Sequence, residues 1–240
     1  MNTKLIFTKG NAKLQDVWTF SLPAGHTCPG ARECMARVDR ETGKLTDGKH
    51  AQFRCFAASM EARMPSVRKS RWNNFDLLRG RSQADMVKTL SESIPASAKL
   101  IRVHVSGDFF NAEYFRAWMQ VASQRPEVTF YAYTKSVKIW VDNKNLVPPN
   151  FKLTASHGGT HDHLIDRYLL KYALVVFSVE QAKALGLEID HDDSHAYGSD
   201  RPFALLLHGT QPKGSESAKA LSALKTQGFT GYSKKHEPVT

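Results

Sequence analysis

The chain has 240 residues, of which 41% are hydrophobic and 23% charged, and a formal net charge of +10. This is the composition of a soluble globular protein, and with no apolar run near twenty residues a transmembrane helix is excluded. The length fits one α/β domain, residues 1–240, and the basic balance favours an anionic partner such as a nucleic acid or a nucleotide.

The first residues carry too short an apolar stretch for a signal peptide and no small-residue cleavage site, so the reading is a cytoplasmic protein with reduced thiols. Residues 17–22, Val-Trp-Thr-Phe-Ser-Leu, predict a buried strand that ends at the breakers Pro23 and Gly25. The segment 26–56 follows and holds all three cysteines, Cys28, Cys34 and Cys55. Within it, the polar stretch 37–50 reads as an inserted loop or hairpin. From Ala57 onward apolar residues recur at three- and four-residue steps, and Pro65 must kink or divide that helix. A second helix is predicted over 82–91, before Pro95.

From residue 100 the pattern becomes regular. Strands are predicted at 100–105, 128–133, 151–155, 173–177 and 203–207, and helices at 112–123, 137–141, 161–170, 179–185 and 216–224. With the first strand this makes six. Strands alternating with helices pair in parallel through right-handed crossovers, which predicts a parallel sheet, open or curled into a partial six-strand (β/α)6 barrel. Functional residues then belong at the C-terminal ends of the strands. The tail, about 229–240, lacks a hydrophobic period and reads as a flexible terminus.

The cysteines are spaced Cys28-x5-Cys34-x20-Cys55. Three thiolates without a fourth suit an iron-sulfur cluster with one open iron, whereas a structural zinc site closes its tetrahedron with protein groups. Recruiting His26 gives the zinc alternative, and three buried, unligated cysteines give the bland one. At the ends of the predicted strands, Ser106, Gly107 and Asp108 offer backbone approach and a carboxylate, which a strand-to-helix turn capped by Asp108 explains as well. Tyr133 and Ser156 occupy the same rim. Residues 161–163 and 190–195 are rich in His and Asp and could serve a second metal, although such residues are commonly caps or solvated groups. The basic helical segment offers Arg63, Arg68, Lys69, Arg71, Arg79 and Arg81 to a phosphate backbone and Trp72 to a base, against the alternative of a solvated helix face.

Cys28, Cys34, the Cys55-Phe56-Ala57 run and His104-Val105-Ser106-Gly107-Asp108-Phe109 resemble a family of phage and phage-related bacterial proteins known by a gene-product number, with no assigned activity. The resemblance covers most of the chain, and residues 37–50 look like an insertion into a compact three-cysteine motif. More distantly, the layout resembles radical S-adenosylmethionine enzymes. That resemblance implies a [4Fe-4S] cluster on the three cysteines, S-adenosylmethionine with its amino group at Gly107 and Asp108, and an electron donor for the cluster. The spacing differs from the usual Cys-x3-Cys-x2-Cys, and Ser-Gly-Asp-Phe only approximates the usual strand-two motif. Two functions are therefore expected, an iron-sulfur enzyme acting on an anionic substrate, or a zinc-held nucleic-acid-binding protein. A phage-encoded protein would act in the host cytoplasm.

Overall fold

Hydrophobic residues spaced two apart alternate with helical runs through most of the chain, and the backbone follows that pattern. The computed structural model describes residues 4–10, 14, 16–229 and 231. A short strand β1 (Thr8–Lys9) pairs antiparallel with β2 (Trp18–Ser21). The polar insertion is a hairpin of β3 (Ala36–Val38) and β4 (Leu45–Asp47), which form their own two-stranded sheet. Three helices follow, α1 (Phe56–Arg63), α2 (Pro65–Leu78) and α3 (Gln83–Ser93). Pro65 divides the first two because it holds Met64 extended and then occupies the first helical turn of α2, where no amide is needed.

The repeating part runs β5 (Leu100–Ser106), α4 (Ala112–Gln124), β6 (Thr129–Thr134), α5 (Val137–Asp142), β7 (Phe151–Ser156), α6 (His163–Arg167), β8 (Tyr172–Val176), α7 (Val179–Ala184), α8 (Ser194–Gly198), β9 (Phe203–Leu206) and α9 (Glu216–Thr226). Asn111, Ser178 and Ser215 start α4, α7 and α9 by accepting a main-chain amide of the first turn. So the cap of α4 is Asn111, not Asp108.

The main sheet has seven strands in the order β1-β2-β5-β6-β7-β8-β9, with β2 and β5 to β9 parallel. Each crossover advances one strand in the same direction, so right-handed connections put their helices on one face. Side chains confirm the division. Phe20, Ile101, Val103, Phe130, Ala132 and Phe151 join Leu90, Phe115 and Trp118 in the largest core, while Tyr131, Ala173 and Phe203 belong to a separate cluster with Leu14 and Ala196 of α8. The architecture is mixed α/β with a mostly parallel sheet. Among the described residues β1 and β9 are its edges, so the sheet is open.

Two local departures from the predicted pattern matter for function. Phe20 pairs with Val103 but Ser21 with Ser106, so β5 bulges at His104 and Val105. His104 takes a positive φ of 70°, a strained value for a residue with a Cβ, and Tyr114 Oη lies 2.9 Å from its Nε2. The tail is shorter than predicted, because Phe229 is buried against Leu224 and Leu221 in the core beside β9. Residues 230 and 232–240 lie outside the described residues.

Candidate metal centre

β2 ends at Ser21, and the chain then crosses the C-terminal ends of its neighbours, carrying the first two cysteines with it. Leu22 N–H donates to the Ser106 carbonyl at 2.8 Å, and the Arg32 and Glu33 amides donate to the Gly158 carbonyl at 3.2 and 2.9 Å. The loop lies tightly on β6: a Cβ on Gly30 would meet the Lys135 carbonyl at 2.0 Å. Gly107, with φ at +81°, is needed for the same reason, since a side chain there would strike Thr27 and Leu22. Gly107 therefore serves the seating of the cysteine loop, and protein atoms fill the space beside it.

Cys55 immediately precedes α1 and brings the third thiol to this loop. The cysteines form no disulfide and are partly buried. Burial pushes the Cys28 thiol well up, and the charges of Asp108, Cys55 and Cys34 push the same way. Burial also raises Cys34, to about 11, with Lys135 opposing and Cys55 adding to the rise. Each thiol thus lies within range of the others' charge. Thiolates here are costly without a cationic centre to hold them, which is what a metal group supplies.

Among the described residues no three His, Cys, Asp or Glu side chains are drawn together as for a single metal ion. A cluster binds its thiolates through separate irons, so three gathered thiols suit it without converging on one point. The donor set fits such a group. His26 Nε2 lies 3.0 Å from the Val38 carbonyl and its ring 4.9 Å from that of Trp72.

Asp108 is buried and acts as a clasp. Its carboxylate accepts from the Phe109 amide at 2.7 Å, the Thr134 hydroxyl at 2.6 Å, and the Lys135 and Ser136 amides at 2.8 and 3.2 Å. Burial raises its carboxyl while these bonds oppose the rise. The acceptor capacity expected to meet a ligand's amino group is used inside the protein. Ser156 is likewise occupied: Lys135 Nζ donates to its hydroxyl at 2.9 Å, to its carbonyl at 3.1 Å and to the His157 carbonyl. Ser106 differs, because its buried hydroxyl has no hydrogen-bond partner among the described residues. Tyr133 points to the other face of the sheet and donates to Asp193 at 3.4 Å.

The basic helix divides in two. Arg68 is buried and donates to the Arg40 and Glu61 carbonyls, both at 2.9 Å. Arg71 is buried against Glu61 at 2.9 Å, and the same Glu61 oxygen accepts the Ala24 amide at the root of the cysteine loop. Trp72 is buried between His26 and Arg40, whose guanidinium lies 4.9 Å from its ring. These three side chains hold the cysteine segment to α2 and are not presented to a nucleic acid. Arg63, Lys69, Arg79 and Arg81 are exposed.

The His and Asp segments also turn inward. Asp162 accepts the Gly158 and Gly159 amides at 2.8 and 3.0 Å, Asp193 pairs with Arg102 at 2.6 Å, and His195 lies 3.0 Å from Glu188. Sequence reasoning placed Lys135 on the rim without giving it a role, and passed over Arg102 and Glu61. An arginine inside an otherwise apolar strand is the signal for Arg102, and position at a strand's end for Lys135; nothing local marks Glu61.

Comparison with known proteins places this geometry. The family described as gene product 88 matches residues 1–226. The chain belongs to the gene product 88 family. It is 31% identical over 137 residues to the gene 88 protein of Mycobacterium phage L5, covering 52% of this chain and 51% of that protein. The gene 88 protein of Mycobacterium phage D29 is 30% identical over 137 residues, covering 52% and 50%. The chain thus spans about half the length of the curated relatives it matches. No solved structure matches. No helix among the described residues is long and apolar enough to cross a membrane.

Proposed function

We propose that Cys28, Cys34 and Cys55 hold a [4Fe-4S] cluster with one iron left open, and that the protein is an enzyme that uses S-adenosylmethionine on an anionic substrate such as a nucleotide. The observation that supports the reading is the placement of partly buried Cys28 and Cys34 on a loop that bonds to Ser106 and Gly158 at the C-terminal ends of parallel strands, with partly buried Cys55 at the start of α1. Ligand sites of α/β sheets occur at that rim. Held by Cys28, Cys34 and Cys55, such a cluster would supply one-electron chemistry that side chains lack.

The chain's own residues supply the setting. The Lys135 ammonium favours a thiolate at Cys34. Asp108 and Gly107 fix the loop's seat. The consecutive strand order is read as a partial (β/α)6 barrel, because right-handed crossovers put their helices on one face, while the other carries α8 and lines a cavity. A reducing host cytoplasm and a protein electron donor belong to the same proposal.

The second reading, a zinc-held nucleic-acid-binding protein, has less support, since Trp72, Arg68 and Arg71 are buried and, among the described residues, no three His, Cys, Asp or Glu side chains are drawn together for a single ion. Equilibrium dialysis of S-adenosylmethionine against anaerobic iron-loaded and iron-free protein tests the enzyme reading. Binding only by the iron-loaded form is expected; equal binding by both, or none by the loaded form, counts against it.

A further inference from the structure

The face of the sheet turned away from α4 carries a charged residue that no structural need accounts for. Arg102 stands in the middle of β5, between Ile101 and Val103, whose side chains enter the core on the opposite face. Its Nη1 donates to Asp193 at 2.6 Å, and its guanidinium lies 5.0 Å from the Tyr133 ring. Asp193 is engaged further by the Tyr131 hydroxyl at 3.0 Å and the Tyr133 hydroxyl at 3.4 Å. The pair is built and held on several sides. Yet Arg102 Nε is buried and, among the described residues, has no hydrogen-bond partner. A guanidinium presents its donors as a planar fork, and one left buried and unpaired costs free energy, so the contact with Asp193 does not satisfy the group in full.

Arg102 lines a cavity of about 670 Å³, within the size range of small-molecule sites. Phe56, next to Cys55, lines it too, so the cavity reaches the residue beside the proposed cluster. Among the described residues that line it, Arg63 and Lys225 add two exposed cations, and Asp193 is the only acid. Apolar walls come from Phe56, Leu205 and Leu221. Excess positive charge over a mostly apolar enclosure selects an anion carried on an apolar body.

We infer that this cavity binds a small organic anion, a carboxylate or phosphate monoester on a planar apolar body, with Arg102 as its buried anchor and Arg63 and Lys225 drawing it in. The site deepens the proposed function by giving its anionic substrate a seat, and rests on that reading only in calling the ligand a substrate. Asp193 occupies Nη1 and fixes the guanidinium, whose exposed part lines the cavity and meets the incoming oxygen. Charge at the mouth raises the local concentration of anions; the buried fork then rejects the uncharged analogue, whose desolvated contact lacks charge assistance.

The test is calorimetric titration of the full chain with adenosine 5′-monophosphate and adenosine, with phenylacetate and phenylacetamide, and with inorganic phosphate. One anionic member should bind at least about tenfold tighter than its uncharged partner, and inorganic phosphate, lacking the apolar body, should bind weakly. The two organic pairs tell phosphate from carboxylate. The double variant Arg63→Gln/Lys225→Gln alters only exposed residues and should weaken anion binding and reduce its salt dependence. Arg102→Lys keeps a charge beside Asp193 but loses the fork, and should abolish the preference for the anion. Equal affinity for charged and neutral partners, or no binding of any probe, overturns the inference. Running the titration on iron-free and iron-loaded samples separates the two claims. Selective anion binding by protein that takes up no iron keeps the site and removes the cluster; iron-loaded protein that binds no probe does the reverse.

Discussion

The Asp108 carboxylate accepts the Thr134 hydroxyl at 2.6 Å, joining the ends of β5 and β6 where the cysteine loop crosses them. Three main-chain amides complete its shell. Replacing Asp108 with alanine would strand those donors in a buried place, so Asp108→Ala is predicted to cost about 3 kcal/mol of stability. Urea unfolding measures it. A loss below about 0.5 kcal/mol, the scale of an ordinary surface change, would leave Asp108 free for another role.

Arg71 and Glu61 form a buried pair at 2.9 Å, with side chains 4% and 0% exposed. Removing one partner leaves an uncompensated charge, so Arg71→Ala should destabilise by about 3 to 5 kcal/mol. Because Glu61 also accepts the Ala24 amide, the variant should lose bound metal together with stability. Lys69→Ala, at an exposed position on the same helix, should change neither by more than about 0.5 kcal/mol. Similar effects from the two substitutions would argue against the division of this helix into buried anchors and solvated cations.

His104 gives a pH prediction. Burial lowers its imidazole from 6.5 to about 3, so the unfolded chain takes up the proton first as pH falls. The folded state should therefore lose about 1.4 kcal/mol per pH unit relative to the unfolded one below pH 6.5, with no such loss above it. Asn tolerates the positive φ and does not titrate, so His104→Asn should flatten the pH dependence of stability between pH 6.5 and 5. Equal slopes in the two proteins would contradict the assignment of a neutral histidine.

Much of the element order is legible in the sequence because each strand is a short apolar run bounded by breakers and each helix keeps its period. Pro65 marks a helix boundary on steric grounds alone, and the polar stretch 37–50 contains the β3–β4 hairpin. The bulge at His104 is not legible, since a register jump is a property of two paired strands. Nor is the burial of Arg68, Arg71 and Trp72: their periodicity suits a solvated face equally well, and only the partners Arg40, Glu61 and His26 decide it. For the site, the three cysteines announce themselves by type and spacing. The occupation of Asp108 and Ser156 depends on Thr134 and Lys135, which stand in a different strand unit.

His26 separates the two metal readings. A cluster held by three cysteines makes no use of the His26 ring, so His26→Ala should keep bound iron nearly unchanged. A zinc ion held by His26 and three thiolates would be greatly weakened by the same change. Loss of iron in this variant would count against a cluster held by cysteines alone.

The most direct measurement is iron, zinc and acid-labile sulfide content of anaerobically purified wild type and of Cys28→Ala, Cys34→Ala and Cys55→Ala. The account predicts about four irons and four sulfides per chain in the wild type, and loss of most of both in each variant. Full retention of metal by all three variants, or one zinc and no iron in the wild type, would contradict it.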